Sequence, residues 1–163
     1  MKRPILIVAA VVVVLIGVRV IMGLNGPDDK TLVREALAES IKASKEGRPG
    51  GVMDKISNKL TVNGDERFSS GQIIQFIKNS KPDVEVQRPE PIVIGNEARI
   101  TSPVSLKVSM PGGNEINQTL DNVTLIFEKE DSMSWLIIPS KQWRLKEVTL
   151  PENFMSQLTP LGL

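Results

Sequence analysis

Apolar and polar residues follow three successive patterns along the chain. An almost unbroken apolar run extends from Ile5 to Leu24. Up to about Pro82, apolar residues then recur every three or four positions, which is the spacing of amphipathic helices. Beyond Pro82 they alternate with polar residues, as in strands of a sheet with one solvated face. This order predicts a membrane segment, then helices, then an antiparallel sheet.

The apolar run has the length of a transmembrane helix, since about 20 residues cross a bilayer core of about 30 Å. Arg19 interrupts it, at a cost of roughly 3 kcal/mol if it lay at the bilayer centre. The fourteen Ile, Leu and Val residues of the run contribute about −0.3 to −0.6 kcal/mol each, so insertion is favoured. Arg19 also lies near the outer end of the run, where its long side chain can reach the headgroups. We therefore predict a membrane anchor over residues 1–24.

Two basic residues, Lys2 and Arg3, precede the run. By the positive-inside rule they keep the N-terminus in the cytoplasm and place the rest of the chain outside it. A cleaved signal peptide has the same start, but it ends in small residues, whereas the exit here reads VRVIMGL. A buried core helix fits poorly, because the run is apolar on all sides. We expect a retained single-pass anchor, with Lys2, Arg3 and Arg19 at the membrane interfaces.

The remaining chain divides into a linker at residues 25–27, a domain at 28–151 and a C-terminal tail at 152–163. A first helix is predicted to begin at Asp28. A short second helix would carry Val52, Met53, Ile56 and Leu60. A third helix begins at Ser69, which forms a capping box with Gln72, and ends before Pro82. The domain thus opens with three helices.

Alternation of apolar and polar residues predicts strands at about residues 84–86, 92–94, 98–110 and 117–129. Residues 134–151 would form one long bent strand or two short ones that meet near Pro139. Pro103 indicates an edge or a bulge in the third strand, because proline cannot donate a ladder hydrogen bond. Leu120 is out of phase with Val123, which predicts a bulge near Asp121 or Asn122. Helices followed by an antiparallel sheet are an α+β arrangement.

Over roughly residues 28 to 150, this order of elements and the late hairpin with Trp135 and Trp143 resemble the NTF2-like, or cystatin-like, superfamily. The resemblance implies a long first helix and two shorter ones packed on a curved antiparallel sheet, forming a cone with a cavity. Its members include ketosteroid isomerases, dehydratases and epoxide hydrolases. They also include bacterial envelope proteins with a single anchor, among them a secretion-system assembly factor.

Charge and composition narrow the function. The chain has 20 Lys and Arg against 19 Asp and Glu. Without the three cations of the first segment the balance is 17 against 19, a net charge of −2, so a nucleic-acid binder is not expected. The chain contains no Cys, His or Tyr, which removes disulfides, thiolate chemistry, the usual general base and the phenolic acid. No cofactor and no metal cluster are predicted.

Four residues of the domain are candidates for a site. Trp135 and Trp143 could line a ligand pocket or supply core mass to the sheet. Asp54 and Asp121 could each act as the lone base of a cone-fold enzyme, or could simply be solvated acids. The resemblance implies that such enzymes use Asp, His and Tyr in the cavity, and two of those types are missing here.

The leading hypothesis is a non-catalytic, membrane-anchored extracytoplasmic module that binds an envelope protein or a small apolar ligand. One alternative is an isomerase or dehydratase type of enzyme that uses Asp54 or Asp121. Another is a structural subunit of an envelope or secretion assembly, in which Arg19 pairs with an acidic residue of a partner helix.

Overall fold

The computed structural model describes residues 27–65, 69–109, 115–134 and 138–151. The predicted anchor and the C-terminal tail lie outside these residues, as does Trp135. Within the described ranges, no helix combines the length and the apolar character that crossing a membrane requires.

The fold is α+β, as the residue pattern predicts. The helices are α1 (Asp29–Lys45), α2 (Pro49–Met53) and α3 (Ser70–Ser80). The strands are β1 (Ile56–Val62), β2 (Asp83–Val86), β3 (Ile92–Ile94), β4 (Glu97–Ser109), β5 (Glu115–Ser134) and β6 (Ile138–Thr149). Hydrogen-bonded neighbours in the curved sheet follow the order β1-β6-β5-β4-β2, and β3 also pairs with β4.

Local caps determine where α1 and α3 begin. The side chain of Asp28 accepts a hydrogen bond from the backbone N–H of Thr31 at 2.8 Å. At α3, Ser69 and Gln72 form the predicted capping box, in which each side chain bonds the other residue's backbone. Such caps satisfy N–H groups that the first helical turn leaves unpaired. Both helix starts are therefore confirmed.

The predicted second helix is wrong in its second half. The helix ends at Met53, and the following residues form β1, which pairs in parallel with β6. The backbone N–H of Leu145 donates to the carbonyl of Lys55 at 2.8 Å, and that of Asn63 donates to the carbonyl of Val148 at 2.9 Å. Because this pairing is parallel, the sheet is mixed and not purely antiparallel as expected. Apolar spacing in so short a segment fits a strand as well as a helix.

The bulge prediction is confirmed. In the β4–β5 ladder, Ser102 pairs with Val123 and Val104 pairs with Leu120, so Pro103 lies opposite two residues of β5. One of these, Asn122, has a positive φ of 58°. A bulge of this kind bends the strand and increases its twist. It therefore contributes to the curvature of the sheet around α1.

Two apolar clusters form the core of the part of the chain that the structure describes. The larger lies between α1 and the inner face of β4, β5 and β6, and its buried members are Val33, Ala36, Leu37, Ala98, Ile100, Val104, Leu120, Val123, Leu125, Phe127 and Trp143. The smaller joins the C-terminal half of α1 to α2, β1 and α3 through Ala43, Val52, Ile56 and Ile77. Neither α2 nor α3 belongs to the larger cluster, so both helices depend on the smaller one.

A polar contact joins the start of α1 to the β5–β6 hairpin. One carboxylate oxygen of Asp29 lies 2.7 Å from Nζ of Lys129 and accepts a hydrogen bond of 3.1 Å from Nε1 of Trp143. The Lys129 ammonium also lies 5.2 Å from the centre of the Trp143 ring, a cation–π distance. The hydrogen bond from Lys129 has the largest effect and lowers the pKa of Asp29. Partial burial raises this pKa, and the hydrogen bond from Trp143 lowers it further.

Replacement of Gly51 by alanine should destabilise the domain. A Cβ at Gly51 would lie 2.8 Å from Cβ of Ala43 on α1, so α2 would have to move outward. Overpacking of this kind costs about 1 to 3 kcal/mol. The matched control is Gly50→Ala, because a Cβ at Gly50 meets nothing within 4 Å. Chemical denaturation should show G51A destabilised and G50A unchanged or more stable. Equal effects of the two variants would contradict the close α1–α2 contact.

Asp29→Asn should destabilise the protein at neutral pH by about 1 kcal/mol or less, because the pair with Lys129 is partly exposed and screened. The pKa of Asp29 is lower in the folded protein than in the unfolded chain, where an aspartate has a pKa of about 3.9. The ionised carboxylate therefore stabilises the fold at pH values above the unfolded pKa, and this stabilisation is lost as the pH falls through the folded pKa. The difference in unfolding free energy between wild type and D29N should therefore shrink as pH falls from 7 to 3.

The control for this pH series is Asp131→Asn, since Asp131 is exposed and makes no ion pair with the described part of the chain. This variant should track the wild type across the same pH range. A gap between wild type and D29N that stays constant with pH would rule out the charged contact with Lys129.

Candidate functional site

A charged cleft of about 590 Å³ lies between the C-terminal half of α1, the α2–β1 connection and the β5–β6 hairpin. Its lining residues are Glu39, Lys42, Ala43, Arg48, Gly51, Asp54, Lys55, Ser132, Gln142 and Arg144. The volume falls in the range of sites for small ligands, about 300 to 1,000 Å³. The lining is mainly polar, which suits a polar or charged ligand better than the apolar one expected from the sequence.

Helix α1 supplies one wall of the cleft. Glu39, Lys42 and Ala43 are spaced by three and four positions, so they share one side of the helix. Gly51 of α2 lies directly against Ala43. Because Gly51 has no side chain, α2 approaches Ala43 of α1 closely, and the cleft begins at this contact.

The opposite wall depends on the pairing of β1 with β6. The Lys55 carbonyl accepts the hydrogen bond from the backbone of Leu145. Beside it, Nε2 of Gln142 donates to the carbonyl of Asp54 at 3.4 Å. These two bonds place Asp54 and Lys55 next to Gln142 and Arg144, although about 90 positions separate the two pairs in the sequence.

Ion pairs fix two of the four cations in the cleft. Nζ of Lys55 lies 2.7 Å from Oε2 of Glu39, which joins the α2–β1 connection to α1. A guanidinium nitrogen of Arg48 lies 2.5 Å from Oε2 of Glu46. Exposed pairs of this type contribute about 0 to 1 kcal/mol each. Their main effect is on geometry, because they hold the side chains that form the rim.

Arg144 is less completely paired. Its Nη1 is 3.7 Å from Oε2 of Glu130, a long contact, while the other oxygen of Glu130 accepts a short hydrogen bond from the buried Ser57. Nε of Arg144 is buried and meets no acceptor among the described residues. A guanidinium offers five N–H donors, so Arg144 retains donors that the described part of the chain does not use.

The structure places the sequence candidates in different surroundings. Asp54 is exposed and lines the cleft, whereas Asp121 is exposed at the β5 bulge and is not part of it. Trp143 is only 2% exposed and belongs to the core. Its role in ligand binding stays a prediction, as does that of Trp135. Lys2, Arg3 and Arg19 lie outside the described residues, as Trp135 does.

Sequence reasoning missed most of the cleft, including Lys42, Lys55 and Arg144. The spacing of Glu39 and Lys42 on one helix gave a weak signal, because such pairs are common on solvated helix faces. Nothing local connects them with Arg144, about 100 positions later. Among the described residues, no three acidic side chains come together as metal ligands.

No protein-family model matches the sequence, and no curated protein matches it. Solved structures do share its fold. A CaMKII hub from S. rosetta is 14% identical with a TM-score of 0.57, and the match covers 77% of this chain and 97% of the hub. An NTF2-like superfamily protein from Salmonella enterica is also 14% identical, with a TM-score of 0.55. That match covers 75% of this chain and 89% of the Salmonella protein.

A ketosteroid isomerase-like protein from Erwinia carotovora is 10% identical with a TM-score of 0.52, and the match covers 75% of this chain and 94% of that one. Likenesses at such low identity show a common fold and no common activity. They agree with the observed elements, in which helices pack on a curved mixed sheet. The described domain therefore has the NTF2-like fold.

Proposed function

We propose that this protein is a single-pass membrane-anchored module whose extracytoplasmic NTF2-like domain binds a small ligand or a partner protein without catalysing a reaction. The observation that carries the binding role is the charged cleft between α1, the α2–β1 connection and the β5–β6 hairpin. It has the volume of a small-ligand site, and side chains from both walls converge on it.

Two features support a role without catalysis. The chain has no His, Tyr or Cys to serve as base, acid or nucleophile. In the cleft, the carboxylate of Glu39 is paired with Lys55, so it serves as a structural contact. Side chains held in this way suit recognition better than proton transfer.

The start of α1 supports the anchored arrangement. Helix α1 begins at Asp29, only five positions after Leu24, the last residue of the predicted anchor. The linker at residues 25–27 spans about 10 Å when fully extended. Because Lys129 and Trp143 hold Asp29 against the hairpin, a membrane attached there would face this end of the domain.

An enzyme is the second candidate, and Asp54 is the observation that favours it, because this carboxylate lines the cleft. One protein of similar fold is described as ketosteroid isomerase-like. Asp121 is a weaker candidate for a base, since it lies on an exposed bulge away from the cleft. A structural subunit of an envelope assembly, with Arg19 paired to a partner helix, remains a third hypothesis, which crosslinking from positions around Arg19 would test.

The anchor is tested by expressing the full chain in a bacterial host with a tag at each end. We expect the protein to resist alkaline extraction from membranes, to keep its N-terminal tag, and to expose only its C-terminal tag to protease outside the cytoplasm. Loss of the N-terminal tag would show a cleaved signal instead. In the control K2E/R3E the charge bias is reversed, so a measurable fraction should insert in the opposite orientation.

The absence of catalysis is tested with the full chain in nanodiscs, incubated with ketosteroid, epoxide and dehydratable hydroxy-acid substrates. We expect no turnover above protein-free nanodiscs. Turnover would overturn the proposal of a non-catalytic module if Asp54→Asn abolished it and the matched variant Asp121→Asn did not. Asp54 would then be a general base.

A further inference from the structure

We propose that the cleft binds an organic anion of metabolite size through a carboxylate or phosphate group, with Lys42 and Arg144 as the recognition residues. This inference rests on the proposed binding function and adds the chemical class of the ligand. It follows from the charges of the lining, from the free donors of Arg144 and from the position of Lys42.

The lining carries more positive than negative charge. Four of its residues are cations, namely Lys42, Arg48, Lys55 and Arg144, and two are acids, Glu39 and Asp54. The chain outside the first segment has a net charge of −2, so the lining differs in sign from the chain around it. Glu46 and Glu130 pair with Arg48 and Arg144 from outside the lining, so attraction of an anion depends on which cations keep free donors.

Internal pairing leaves two of these cations available. Glu39 neutralises Lys55, and Glu46, just outside the lining, neutralises Arg48. The side chain of Lys42 makes no ion pair or hydrogen bond with the residues that the structure describes. Lysines near a helix C-terminus also stabilise the helix dipole, but that role does not require Arg144 on the facing wall.

Arg144 supplies the directional part of the site. Its Nη1 contact with Glu130 is long at 3.7 Å, and its buried Nε has no acceptor among the described residues. Because this Nε is closed to solvent, a ligand in the cleft would meet the terminal Nη groups of Arg144, whose side chain lines the cleft. The planar guanidinium fork matches the two oxygens of a carboxylate or phosphate, whereas Lys42 contributes a mobile point charge.

Asp54 opposes an anionic ligand from the same lining. Its side chain is exposed and makes no hydrogen bond or ion pair with the described residues. Its backbone carbonyl accepts from Gln142, and its backbone N–H donates to the Gly50 carbonyl. The nearby negative charge should weaken the binding of an anion by Coulomb repulsion. Removal of this charge should therefore strengthen binding, which gives a prediction opposite in sign to those for the two cations.

Calorimetric titration of the full chain in nanodiscs of uncharged lipid, with citrate and with inorganic phosphate as probes, tests the proposal. We expect citrate to bind and its uncharged triethyl ester not to bind. Lys42→Gln should raise the citrate Kd roughly threefold, as for an exposed ion pair. Arg144→Gln should raise it roughly tenfold, as for lost hydrogen bonds to a charged group. Asp54→Asn should lower it roughly threefold.

Matched controls separate the cleft from a general charge effect. Lys107→Gln removes the same charge from an exposed position on β4 that is not part of the lining, and Asp121→Asn removes an acid at the β5 bulge. Both variants should leave the Kd unchanged within about twofold. If Arg144→Gln impairs folding, shown by a lower thermal midpoint, Lys42→Gln and Asp54→Asn still test the site, since both side chains are exposed.

No binding of citrate or phosphate by the folded full chain would overturn the anion proposal, as would equal weakening by Lys42→Gln and Lys107→Gln. Binding of the triethyl ester as tightly as citrate would also overturn it. These results leave the anchored binding module intact, because its own tests measure membrane insertion, orientation and turnover.

Discussion

The parallel pairing of β1 with β6 is the contact on which the rest of the domain depends. Hydrogen bonds from Leu145 to Lys55 and from Asn63 to Val148 hold the chain along the edge of the sheet after α2. Because of these bonds the chain leaves the helical conformation after Met53. They also place Ile56 of β1 in the small apolar cluster, where it joins Ile77 of α3. The same bonds place the α2–β1 connection beside the hairpin. Without this strand the cleft would lose the side that Asp54 and Lys55 form.

The curvature of the sheet is the second feature that shapes the domain. The bulge that opposes Pro103 to two residues of β5 interrupts the longest ladder of the sheet, and such bulges increase twist. A curved sheet can contact α1 at both of its ends. Asp29 meets the hairpin at the start of the helix, and Lys45 lies 2.7 Å from Asp83 of β2 at its end. The core residues of α1 are thereby enclosed on one side, while the face that carries Lys42 stays open to the cleft.

Charges in this domain divide between structure and recognition. Pairs such as Lys55 with Glu39 join elements that are distant in sequence and leave little free charge behind. Lys42 and Arg144 are different, because the described fold does not use their full bonding capacity. Side chains that a fold positions without pairing are the ones available to a ligand. The convergence of these two side chains on one cleft, and not the total charge, distinguishes this site.

The sequence by itself determined the features that depend on neighbouring residues. The capping box of Ser69 acts within one helical turn, and the bulge before Val123 shows in the phase of a single strand. The anchor over residues 1–24 stays a prediction from the apolar run. Only the tertiary structure decided that Ile56 starts a strand, because short apolar segments fit either element and pairing with β6 selects one. It alone brought Lys42 and Arg144 to one cleft, since contacts across about 100 positions leave no local pattern in the chain.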